Sequence, residues 1–102
     1  LIADADGIMV FGAEMRDGRL HVSGAVHAFA GTVWLKWQDA DGTVHKVTVT
    51  TSASAPDWGR FEVDLAHVSE RGTLSISSLD AEGDDWREVS INYPMFAAVP
   101  AR

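Results

Sequence analysis

Three places in this chain carry the same acid-x-acid-Gly spacing: Asp4-Ala5-Asp6-Gly7, Asp39-Ala40-Asp41-Gly42 and Asp80-Ala81-Glu82-Gly83. Carboxylates two residues apart before a glycine can converge on Ca²⁺, a hard cation that takes about six to eight oxygen ligands. The densest group is Asp80, Glu82, Asp84 and Asp85, and these four are the candidate calcium ligands. Asp and Gly are also what β-turns are made of, and none of the three runs continues to the distal Glu of a full calcium loop. The histidines give a weaker metal signal. His21 and His27 share a strand face but stand about 20 Å apart at ~3.3 Å per residue, so they cannot hold one ion together. His45 and His67 are remote in sequence, and surface histidines are the expectation for all four.

Four tryptophans are many for 102 residues. Trp37 is in phase with Val33 and Leu35 and belongs to a core. Trp34 falls on the opposite face with Lys36, Trp86 is in phase with Glu88 and Ser90, and Trp58 is expected in a loop. An indole held at a surface marks a contact for a sugar, a peptide or another domain, unless both faces are covered or a lysine stem packs on the ring. Trp34, Lys36, Trp58 and Trp86 are the candidate binding residues.

Catalytic patterns are missing. There is no G-x-S-x-G elbow, no phosphate-cradling glycine loop and no H-E-x-x-H. Glu62 and Asp64 form a carboxylate pair, but on a solvent face. The expectation is a non-enzyme without a cofactor. The net charge of −7 provides no basic patch for nucleic acid. Without cysteine, disulfides and thiolate metal sites are excluded. The longest run free of acidic, basic and histidine side chains, Val89 to Ala101, contains Pro94 and Pro100 and falls short of the ~20 apolar residues of a membrane span. The first residue is Leu1 rather than Met, so a processed or excised domain is expected, with any targeting segment upstream.

The elements that must position these side chains read as strands. Leu20, Val22, Gly24 and Val26 alternate with His21, Ser23, Ala25 and His27, the period-two pattern of a half-buried strand. Residues 32–50 form one hairpin around Asp39-Ala40-Asp41-Gly42. Phe61, Val63 and Leu65 alternate with Glu62 and Asp64; Leu74 and Ile76 open another strand; Val89, Ile91 and Tyr93 mark the last. A first strand lies within Ile8–Met15, residues 51–58 are expected as a loop, and Ala66–Arg71 as one helical turn crossing between sheets. The sum is one all-β domain over residues 1–102, an antiparallel immunoglobulin-like β-sandwich of about seven strands, with a small barrel as the alternative.

The order of these motifs resembles a known family. Val22-Ser23-Gly24-Ala25-Val26, Phe29, Gly31-Thr32-Val33 and Asp39-Ala40-Asp41-Gly42 come first, then Gly59-Arg60-Phe61, Gly72-Thr73-Leu74-Ser75-Ile76 and Tyr93-Pro94-Met95. Together they resemble the immunoglobulin-like domain of bacterial spore germination proteins, over residues 8 to 96. Ala30 stands where that pattern has Glu. The resemblance implies a non-catalytic interaction or assembly module in an exported or cell-envelope bacterial protein. Its partner would be another protein or another domain of the parent chain, with no nucleic acid and no membrane insertion. A cell-wall glycan bound through exposed Trp, and a structural spacer or filament subunit, are the alternatives.

Overall fold

The computed structural model describes residues 3–5, 7–27, 31–55, 57–79 and 86–93. Among these residues the chain forms nine strands: β1 (Ala3–Ala5), β2 (Ile8–Arg16), β3 (Arg19–His27), β4 (Thr32–Asp39), β5 (Val44–Thr50), β6 (Ser52–Ala55), β7 (Trp58–Ala66), β8 (Gly72–Leu79) and β9 (Trp86–Tyr93). Seven are seven to nine residues long. The other two, β1 and β6, are short additions to one sheet. One sheet runs β1-β2-β3-β7-β6 and the other β5-β4-β8-β9, antiparallel at every pairing. This is the expected immunoglobulin-like sandwich.

Alternation decides which side chains meet between the sheets. Leu20, Val22 and Val26 of β3 face Leu35 and Trp37 of β4 and Leu74 and Ile76 of β8 in one core, to which Ile8, Val10, Phe61 and Ile91 also belong. Each buried aliphatic contributes roughly 1.5–3 kcal/mol relative to exposure. Two glycines shape that core. A Cβ on Gly24 would stand 2.5 Å from Phe61 Cζ and meet the carbonyl of Met9, and one on Gly72 would stand 2.6 Å from Trp37 Cζ2. Each glycine is the recess into which a ring packs.

Two local features were not among the expectations. Asp17 and Gly18 both have positive φ, 54° and 75°, and close a two-residue hairpin between Arg16 and Arg19. Asp-Gly is the preferred composition of that turn. Phe11 is an extra residue between Val10 and Gly12; such a bulge reverses the phase of a strand. Ile8 and Val10 therefore face the core before it and Ala13 and Met15 after it. Phe11 itself turns outward, 39% exposed, with the Arg60 guanidinium 5.7 Å from its ring centre.

Residues 51–58, expected as a loop, contain β6, which pairs with the start of β7. Thr51 alone separates β5 from β6, so the chain passes from one sheet to the other across a single residue. Its N–H donates to the carbonyl of Gly31 at 3.1 Å.

The expected helical turn at Ala66–Arg71 is not helical. His67 takes φ 60°, Val68 is buried in the core, and Val68 N–H donates to the carbonyl of Gly18 at 3.0 Å. An apolar plug and a left-handed residue within three positions leave no room for a helical turn.

Candidate functional site

The outer face of the four-stranded sheet is set by the register of β4. Val33, Leu35 and Trp37 turn inward, so Trp34, Lys36 and Gln38 turn outward. Across β5 and β8 this gives three rows of cross-strand neighbours. Thr48, Trp34 and Ser77 form the first, Lys46, Lys36 and Ser75 the second, and Val44, Gln38 and Thr73 the third. β9 extends them with Glu88, Ser90 and Asn92.

Trp34, Lys36, Lys46, Thr48, Ser75, Ser77 and Glu88 line an open depression of about 310 Å³. Two others of similar size, about 370 and 340 Å³, border residues of the opposite sheet, the first together with Val49 and Thr50 of β5. Volume therefore singles out none of them, and composition must decide.

That composition is unusual in one respect. The chain has two lysines, and they stand directly opposite each other on β4 and β5. Like charges at facing positions destabilise a sheet. The ion pairs found among the described residues involve His21 and His45 and neither lysine. The polar groups of β8 beside them are paired with those of β9. Ser75 and Ser90 share a hydrogen bond of 3.1 Å, Ser77 Oγ donates to Glu88 at 3.1 Å, and Thr73 Oγ1 donates to Asn92 at 3.0 Å. Val44, in the third row, is 42% exposed.

The expected binding residues are divided by the fold. Trp34 and Lys36 lie together, and register places Trp86 in the same sheet, opposite Leu79 and in phase with Glu88. Trp58 does not join them. It opens β7, opposite His27 in the five-stranded sheet, a sandwich thickness of ~10 Å away. It is a strand residue rather than a loop residue. Lys46 is the member that reading along the strand missed. Its signal was present in the sequence, since Lys36 and Lys46 each lie five residues from Asp41, the centre of the hairpin.

The acid-x-acid-Gly turn at residues 39–42 is occupied by protein donors. Asp39 accepts from Trp37 Nε1, from Ser69 N at 3.1 Å and Oγ at 2.8 Å, and from His45 Nε2 at 3.0 Å. Asp41 accepts from Thr43 N at 2.9 Å. Among the described residues no group of three or more His, Asp and Glu side chains converges for a metal. Asp80, Glu82, Asp84 and Asp85 lie outside the described residues.

On the opposite face His21 stands between two acids, Nδ1 2.6 Å from Asp64 and Nε2 3.2 Å from Glu62. Engaging both carboxylates needs an N–H on each nitrogen, which only the imidazolium has. The bond to Asp64 raises the imidazole pKa; desolvation opposes it, and Glu62 adds to the rise. A raised pKa means that this stabilisation is complete below about 6.5 and is lost as pH rises through the folded value. Wild type should therefore exceed His21→Gln in urea midpoint at pH 5.5 by more than at pH 8. An equal gap at both would show that the triad contributes nothing through protonation.

With this geometry in place, comparison with known families is decisive. A model of the immunoglobulin-like domain of bacterial spore germination matches residues 10–85. The chain belongs to this family. No curated protein and no solved structure gave a significant match. In this germination-type domain the motifs that carried the resemblance serve the fold: Gly24 and Gly72 receive Phe61 and Trp37, and Asp39 ties the hairpin to the β7–β8 crossover. None of those motifs contains Trp34, Lys36 or Lys46.

Proposed function

We propose that this germination-type domain is a non-catalytic interaction module of an exported or cell-envelope bacterial protein. Its contact surface is the outer face of β5-β4-β8-β9 around Trp34, and its partner is another protein or another domain of the parent chain. The observation that carries this reading is the half-buried indole of Trp34 in a depression beside the chain's two lysines. An aromatic anchor within a polar rim is the usual anatomy of an interface hot spot. Family membership supports the absence of catalysis, and the envelope setting is taken from the family's place in spore germination.

The test is titration of the domain with its neighbouring domains, followed by NMR. Trp34→Ser should weaken binding at least tenfold and leave the thermal midpoint close to wild type. Unchanged affinity would defeat the proposal.

A cell-wall glycan bound on Trp34, Trp58 or Trp86 draws its support from the indoles. Several of the polar groups of this face that a neutral sugar would need are already engaged, Thr73 with Asn92, Ser75 with Ser90 and Ser77 with Glu88. A saturable fluorescence change with glycan fragments, lost in Trp34→Phe, would reverse this ranking. Light scattering at rising concentration tests the spacer or filament reading.

A further inference from the structure

We infer that the partner segment seated on this face carries a carboxylate side chain, held between the ammonium groups of Lys36 and Lys46, in an extended stretch with apolar side chains two residues to either side. The inference rests on the docking-face reading above and adds the chemistry of the occupant.

The first argument is charge. Both lysines of the chain occupy one cross-strand pair, an arrangement that repels itself and in which no acid among the described residues forms an ion pair. Glu88, the carboxylate of the same depression, accepts a hydrogen bond from Ser77. Neither lysine has a carboxylate within ion-pair distance among the described residues, and one carboxylate placed between them would meet both with charge-assisted hydrogen bonds.

The second argument is spacing. The lysine row lies between the row of Trp34 and the row of Val44. Alternate positions along a strand are ~6.6 Å apart. An extended segment laid along the β4–β5 seam therefore sets its central acid on the lysines, with apolar side chains near Trp34 and Val44.

The third argument separates a protein from an acidic polymer. With a net charge of −7, the domain repels a long polyanion at a distance. A single acid in a protein segment meets the lysine pair without bringing further charge against the rest of the surface.

The experiment uses three probes on the folded domain, with the Trp34 indole N–H and the Lys36 and Lys46 Nζ resonances as readouts. The first is a capped heptapeptide with Glu at its centre and Leu two residues to either side. The second is its Gln counterpart, and the third is polygalacturonate. The Glu peptide should give saturable shifts at all three sites, at least tenfold tighter than the Gln peptide. That difference should vanish in the double variant Lys36→Ser, Lys46→Ser. Equal affinity for the two peptides would overturn the carboxylate while leaving the docking face standing. Polygalacturonate binding at the lysines with both peptides silent would overturn the protein segment in favour of an acidic glycan. No shift with any probe would overturn both the inference and the docking face.

Discussion

Replacing Asp39 with alanine is expected to lower the urea midpoint far more than replacing Asp41, although the two carboxylates stand two residues apart in one turn. Asp41 is bonded within its own exposed turn, accepting from Thr43. Asp39 gathers Trp37, His45 and both donors of Ser69 onto one carboxylate. Trp37 is fully buried, and an indole N–H left there without a partner costs about 1–3 kcal/mol by itself. The same substitution also releases Ser69, next to the Val68 plug in the crossover.

The pH dependence has a definite sign. Desolvation pushes the Asp39 carboxyl upward, but the hydrogen bonds from Ser69, His45 and Trp37 outweigh it and hold it well below the ordinary carboxylate range. Stability from a depressed acid is complete above its unfolded value, 3.8, and is lost as pH falls from there. The gap between wild type and Asp39→Asn should therefore narrow between pH 5 and pH 2. A gap of constant size would mean that the bonds do not depend on the charge.

The second large effect is expected at Gly24. A methyl group there meets Phe61 Cζ at 2.5 Å and the backbone of Met9, so either the ring or the β2–β3 ladder must move. Overpacking of this kind costs about 1–3 kcal/mol, and Gly24→Ala belongs at the upper end because one of the two obstacles is backbone. Phe61→Leu removes the ring but not the Met9 carbonyl. The double variant Gly24→Ala, Phe61→Leu should then be less destabilised than the sum of the single changes. Strict additivity in a denaturation cycle would show that the ring does not fill the recess.

The sequence made the strands legible because a sheet with one covered face imposes alternation, and Val22, Leu35, Phe61, Ile76 and Ile91 obey it. The hairpin around Asp41 was legible from its turn residues. Phe11 was not, because a bulge inserts a residue without changing composition, and its place follows from the partner strand. β6 escaped for another reason: Ser52 to Ala55 alternates only serine with alanine, side chains too small to mark a buried face, and joins the sheet through backbone pairing. Asp39 looked like a metal ligand or a turn residue. Its actual role depends on Ser69, thirty residues away, and no local spacing reports that. The candidate site was half legible, since phase placed Trp34 and Lys36 outward, whereas the meeting of Lys36 with Lys46 is a matter of register.

The single residue Thr51 between β5 and β6 gives the sandwich the mechanics of a bound book. β5 and β6 are the edge strands on one side of the two sheets, and their covalent junction is the spine. On the opposite side β1 and β9 touch, but no connection between strands crosses there. Among the described residues β1 covers β2 no further than Val10, and the N–H of Met15 donates to the hydroxyl of Tyr93 on β9 at 3.0 Å. That bond is the clasp on the fore-edge. The two covers should part from this side first, with amide exchange at Met15 faster than at Thr51, and Tyr93→Phe should loosen the clasp without touching the spine.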